Sequence, residues 1–128
     1  FNDLIYACAP APLQMGVAEG LKALGPEYYQ KICNKYMQRR DAICNALSIA
    51  GLTPFVPQGG YFVLADISRL AGGNSLERAM NLLKTCGVAC VPGEAFYHDG
   101  TGAELGRFCF AKEDSLIDEA CRRIEGLA

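Results

Sequence analysis

Gly59-Gly60-Tyr61-Phe62-Val63-Leu64-Ala65-Asp66 is where the sequence changes period, and its reading decides the fold. Tyr61 to Ala65 is aromatic and apolar throughout, so it reads as a buried strand that ends at Asp66. Upstream the pattern is helical. Leu13, Val17, Leu21 and Leu24 recur at helical spacing, while Pro10 and Pro12 exclude a helix from residues 1–12. Gly25-Pro26 breaks the chain, and Pro26 suits the first turn of a long helix running to about Leu47. Its predicted inward stripe is Tyr29, Ile32, Cys33, Tyr36, Ile43, Cys44 and Leu47, with Lys31, Lys35, Gln38, Arg39 and Asp41 on the solvated face. Gly51 ends it, and Thr53 to Val56 is a short β-prone segment stopped by Pro57.

Downstream, Gly72-Gly73-Asn74 is a loop, and Asn74 with Glu77 three residues on marks a helix start. Leu76, Ala79, Met80 and Leu83 form the predicted stripe of that helix, and Gly87 ends it. A strand over residues 88–91 follows, then a Gly-rich polar loop from Pro92 to about Glu104. Leu105 to Phe110 is a further strand. The last helix starts near Asp114, with Leu116, Ile117, Ala120, Cys121 and Ile124 inward. The expected fold is a two-layer α/β domain: a small, mostly antiparallel sheet of three to four strands covered by helices, preceded by a long connecting helix.

Composition narrows the function classes. The 128 residues are 51% hydrophobic and 20% charged, enough for one domain with a modest core and unlike a disordered chain. A formal net charge of -2 gives no basic excess for nucleic acid. No apolar run approaches the ~20 residues that span a bilayer, and no charged-then-apolar leader is read. The start at Phe1 suggests a piece of something longer. Seven cysteines, an odd count set in apolar stretches, suggest a reduced, cytosolic chain rather than a disulfide scaffold. Cys86 and Cys90 lack a second ligand pair, and His98 is the only histidine, so no metal site is expected.

Arg107 carries the most chemical information. In an alternating strand Phe108 and Phe110 share one face, and Arg107 shares the other with Cys109. A guanidinium among aromatics keeps its charge and needs an anion, and its planar fork suits a carboxylate. Spacing leaves two readings open: an internal salt bridge to Asp66 or another acid, or a substrate carboxylate. The turns at Pro57-Gln58-Gly59-Gly60 and Pro92-Gly93-Glu94 read as ordinary turn chemistry in isolation. His98 reads as a solvated loop residue. Glu113, Asp114, Asp118 and Glu119 fit the start of a helix rather than paired-carboxylate catalysis.

Taken in order, three motifs resemble the class I/II aminotransferases, fold-type I pyridoxal-phosphate enzymes, nearest the kynurenine/aspartate aminotransferase-like branch. They are Gly59-Gly60-Tyr61-Phe62 running to Asp66-Ile67-Ser68, Gly87-Val88-Ala89 running to Val91-Pro92-Gly93-Glu94-Ala95-Phe96-Tyr97, and Arg107-Phe108-Cys109-Phe110-Ala111-Lys112. Ala9-Pro10-Ala11-Pro12-Leu13-Gln14 and Tyr36-x-x-Arg39-Arg40-Asp41 also resemble that family. The resemblance implies a C-terminal portion, with residues 1–25 from the large-domain and dimer-interface region and residues 26–128 forming the small domain. It implies that Arg107 binds the substrate α-carboxylate, that Gly60 and Tyr61 line the mouth of the site, and that Phe96 lies on a loop near it. Residues 6–14 would lie at a homodimer interface.

The family's cofactor lysine sits in a Ser-x-x-Lys or Ser-x-Ser-Lys context. Lys22, Lys31, Lys35, Lys84 and Lys112 all lack it. No catalytic or cofactor-binding residue is therefore expected within these residues. Pyridoxal 5'-phosphate would be held by the rest of the parent, and the isolated chain is expected to be inactive, with residues 1–24 poorly packed or paired with another copy. Amino acid and 2-oxo acid are the implied substrates, without nucleic acid or membrane partners. A fold-type I lyase or synthase, an amino-acid-sensing effector domain of a transcription regulator and an independent interaction module are the rival readings.

Overall fold

Pro12 does not delay the first helix as far as the sequence suggested. In the computed structural model, which describes residues 9–128, helix α1 spans Ala11–Ala23 with Pro12 in its first turn. The first backbone N–H groups of a helix have no intrahelical acceptor, so proline there removes nothing the helix uses. None of its residues is buried, and Leu13, Met15, Val17 and Leu21 are more than half exposed. The expectation for residues 6–14 falls partly outside the described residues, as does Cys8.

Helix α2 spans Pro26–Ile49 and opens on its proline as expected. The boundary between two compact units falls inside it, between Lys35 and Tyr36. Only the later part of its expected stripe is buried, at Ile43, Cys44, Ala46 and Leu47. Tyr29 and Ile32 remain exposed, because among the described residues no layer covers the helix there. Beyond Ala50 the chain turns at Gly51, whose φ of 74° is a left-handed conformation that favours glycine.

The second unit is a helical layer on one face of a sheet. Strands β1 (Thr53–Phe55), β2 (Phe62–Asp66), β3 (Val91–Pro92) and β4 (Leu105–Cys109) form an antiparallel sheet in the order β1-β2-β4-β3. The strand expected over residues 88–91 shrinks to Val91–Pro92, an edge position where a proline without N–H is tolerated. Helix α3 is Ser75–Cys86, a single-turn 3-10 helix is Gly93–Phe96, and helix α4 is Asp114–Glu125. The order, the two layers and the small antiparallel sheet agree with the expected α/β class.

Burial corrects two details. β2 is not buried throughout: Val63 and Ala65 point into the core, while Phe62, Leu64 and Asp66 point away. An antiparallel sheet can leave one face open, and here the helices cover only one. Val63 and Ala65 meet Phe108 and Phe110 there, together with Ile43, Leu47, Leu82, Ile117 and Ile124.

The inward face of α3 is also displaced from the expected stripe. It is Ser75, Ala79 and Leu82, whereas Leu76, Met80 and Leu83 are exposed. In α4 Ile117 and Ile124 are buried but Leu116 is exposed. The Asn74 cap is as expected: its side chain accepts from Glu77 N–H at 2.9 Å, and Gly87 closes the helix at a φ of 73°. Among the described residues no helix is long and apolar enough to cross a membrane.

Substitutions separate the observed inward face from the expected one. Leu82→Ala and Ile124→Ala, both at fully buried positions, are expected to lower unfolding stability in urea by ~2–5 kcal/mol. Leu76→Ala is expected to change it by no more than about 0.5 kcal/mol. Comparable losses at Leu76 and Leu82 would contradict this orientation of α3.

Candidate functional site

Alternation along β4 sends Gly106 and Phe108 into the core and leaves Leu105, Arg107 and Cys109 on the uncovered face. Register places Leu64 of β2 and Val91 of β3 on either side of Arg107. Two aromatic rings contact its guanidinium. The Cζ atom lies 5.0 Å from the Phe62 ring centroid and 4.5 Å from that of Phe96. These are cation–π separations, each contributing about 0.5–1 kcal/mol at a partly exposed site.

The other arginines show what this one lacks. Arg39 pairs with Asp114, Arg40 with Asp41, and Arg122 and Arg123 with Glu119. Arg69 donates to the Ala50 carbonyl and Arg78 to the Ala103 carbonyl. Among the described residues none accepts a hydrogen bond from Arg107 or pairs with it, and its recorded contacts are the two rings. Asp66, the internal acid considered from spacing, instead accepts from Ser68 N–H at 2.8 Å and stands opposite Leu105.

Phe96 reaches Arg107 from the 3-10 helix Gly93–Phe96. Gly93 is buried at the start of this turn, and a Cβ there would lie 2.4 Å from the Gly102 carbonyl oxygen and 2.6 Å from Leu105 Cβ. Only glycine permits that approach. Glu94, next along, accepts from both Ser75 Oγ–H and Ser75 N–H.

The residues expected at the site are therefore joined unequally. Phe96 contacts Arg107 directly. Tyr61, 55% exposed, reaches it through Phe62, with ring centroids 5.7 Å apart and planes perpendicular. Gly60 precedes them at a φ of 83°, with open space where a side chain would be, and has no recorded contact with Arg107. Phe62 was missed from sequence. Its signal was period-2 pairing with β4, which places Phe62 opposite Cys109 and on the Arg107 face. His98 is exposed in its loop.

With rings as its only recorded contacts among the described residues, the guanidinium keeps its N–H edge as a free bonding surface. That edge carries in-plane N–H donors at the spacing of two carboxylate oxygens. The arrangement can hold a planar anion. Burial pushes the Cys90 thiol up to about 11 and also raises Cys44 and Cys121, so these three are poor nucleophiles. Among the described residues no three His, Cys, Asp or Glu side chains gather as a metal site requires.

A protein-family model described as aminotransferase class I and II matches residues 3–124. The chain belongs to the class I and II aminotransferases. It is 34% identical to a methionine aminotransferase from Escherichia coli (strain K12), covering 91% of this chain and 30% of that protein. It is 32% identical to kynurenine–oxoglutarate transaminase 3 from Homo sapiens, covering 93% and 30%. Among solved structures, an Escherichia coli methionine aminotransferase superposes with a TM-score of 0.84 at 32% identity, over 98% of this chain and 32% of that one. An N-succinyldiaminopimelate aminotransferase from Mycobacterium tuberculosis gives 0.82 at 31%, over 98% and 33%. The aminotransferase chain thus spans about a third of the length of these relatives.

Pyridoxal phosphate is implied by the family, and it needs an amine to bond and a cradle for its phosphate. The lysines of the second unit do not provide the amine at Arg107: Lys84 is exposed on α3, and Lys112 lines a cavity with Tyr36 and Arg39. The residues around Arg107 fit the substrate side of such a site and not the cofactor side.

Acid titration tests the local geometry. Hydrogen bonds from Ser68 hold the Asp66 carboxyl below its ordinary value, and bonds from Ser75 do the same for Glu94. Folding therefore lowers both pKa values, and the unfolded chain binds more protons. Their contribution to stability is complete above the ordinary carboxylate range near pH ~4 and is lost as pH falls through the lowered values. The urea midpoint is expected to fall between about pH 6 and about pH 3, and Asp66→Asn to reduce that fall. A midpoint that does not change with pH would contradict these hydrogen bonds.

Proposed function

We propose that this aminotransferase chain is the C-terminal portion of a pyridoxal-phosphate-dependent enzyme that transfers an amino group between an α-amino acid and a 2-oxo acid. In this reading residues 26–128 are the small domain, residues 1–25 come from the large-domain and dimer-interface region, and the parent is a cytoplasmic homodimer of amino-acid metabolism. The observation that carries the reading is Arg107: a permanent cation on an uncovered sheet face, within cation–π distance of Phe62 and Phe96, with no acid of the described residues paired to it.

The methionine and kynurenine named for the relatives both carry an α-carboxylate. Amino donor and oxo acid share that group, so one guanidinium serves both halves of the exchange. A two-point hydrogen bond from the Arg107 edge fixes the carboxylate plane, and with it the direction of the bonds at Cα. Cation–π contacts with Phe62 and Phe96 favour the position of the guanidinium that they surround. Tyr61 and Gly60 border the approach to it, and the open space at Gly60 lets substrate pass close to the backbone. The cofactor, bound by the rest of the enzyme, supplies the electron sink at the amino group. These 128 residues bind and orient, and they do not catalyse without the remainder.

Arg107→Lys in the full-length enzyme tests this directly. Lysine keeps the charge and loses the fork, so kcat/KM for the amino acid is expected to fall by about two orders of magnitude or more. The visible absorbance of the bound cofactor is expected to be unchanged. Undiminished turnover would remove Arg107 from the site.

A further inference from the structure

Ser75 is a fully buried polar residue set in an otherwise apolar core. A buried hydroxyl needs partners, and those of Ser75 lie on Glu94, nineteen residues away. Ser75 Oγ–H donates to Glu94 Oε2 at 2.6 Å, and Ser75 N–H donates to the same oxygen at 2.9 Å. In return Glu94 N–H donates to Ser75 Oγ at 3.2 Å. The first residue of α3 and the second residue of the 3-10 helix are thus fastened by three reciprocal hydrogen bonds.

This clasp is not needed to start α3. Asn74 already caps the helix through Glu77 N–H, and the Glu77 carboxylate already accepts from Gly73 N–H at 2.7 Å. What the clasp adds is a fixed position for the turn. Gly93 is seated against Gly102 and Leu105, Glu94 is held by Ser75, and Tyr97 N–H closes the turn onto the Glu94 carbonyl at 3.3 Å. Phe96 lies between those fastened points, and its ring is the nearer of the two on Arg107. Rotating the turn would strip a buried hydroxyl and a helix N–H of their acceptor, so the backbone that carries the Phe96 ring is held in place.

We propose that Ser75 and Glu94 are positioning residues for substrate-carboxylate recognition: their clasp sets the Phe96 ring over Arg107 and thereby aims the edge of the guanidinium. The proposal rests on the reading of Arg107 as the carboxylate-binding group.

The test uses the full-length enzyme with its cofactor and two unreactive competitors of the amino acid, a carboxylic acid and the primary amide of the same acid. The ratio of their dissociation constants reports how well the guanidinium edge is presented. Glu94→Ala is expected to reduce the preference for the acid about tenfold, and Ser75→Ala to reduce it in the same direction. Glu94→Gln retains an oxygen that accepts from Ser75 and is expected to stay within about twofold of the wild type. Phe96→Ala is expected to match Glu94→Ala, with no further loss when the two are combined.

A clasp that serves only the fold would lower the melting temperature and leave the acid-to-amide ratio unchanged, which would overturn the proposal. Arg107→Lys separates the two levels. If it abolishes the preference while Glu94→Ala and Ser75→Ala do not, the carboxylate reading stands and the positioning role fails. If Arg107→Lys leaves the preference intact, the carboxylate reading fails, and this proposal fails with it.

Discussion

A guanidinium cannot discard its charge at any pH a folded protein survives, so wherever the chain places one it must also find it company. Arg107 is half-buried on a sheet strand and receives two aromatic faces, worth together on the order of 1–2 kcal/mol, instead of a carboxylate. Those rings contact the group while leaving its hydrogen-bonding edge unsatisfied by any described residue. The surrounding structure serves that arrangement. β4 supplies the position, β2 supplies Phe62, and the turn after β3 supplies Phe96. In the proposed function an anion from outside these residues completes it.

The same alternation that exposes Arg107 also protects the fold from it. Phe108 in β4 and Phe110 just beyond it are almost wholly buried against the helices, while Arg107 and Cys109 face away. Core and site therefore lie on opposite faces of one thin sheet. Changing the guanidinium edge need not disturb the packing of Leu47, Leu82, Ile117 and Ile124. Gly106 faces the core, where a Cβ would press on Cys90 and Ile67 at 3.1 Å.

Much of this was legible wherever a local rule had no competitor. Pro26 and Gly51 bounded the long helix, Asn74 and Gly87 bounded the shorter one, and the alternation of residues 105–110 put Arg107 and Cys109 on a common face. The failures arose where long-range packing decides. α3 carries leucine or methionine on more than one side, so its sequence does not say which side turns inward, and the core selected the one that includes Ser75. In β2 the apolar run hid the alternation, so Phe62 passed for core until its pairing with Cys109 placed it beside Arg107. The Ser75–Glu94 clasp joins residues far apart in sequence, and no motif announces it. The aminotransferase motifs gave the role of Arg107 as an expectation, and the unpaired guanidinium edge is what supports proposing it.

The most direct test is a crystal structure of the full-length enzyme with a 2-oxo acid or an unreactive amino-acid analogue bound. The account predicts that both oxygens of the ligand's α-carboxylate lie about 2.7–2.9 Å from two nitrogens of Arg107, with the Phe62 and Phe96 rings still flanking the guanidinium. A structure in which that carboxylate is held by other groups, while Arg107 pairs with an acid from the rest of the enzyme, would contradict it.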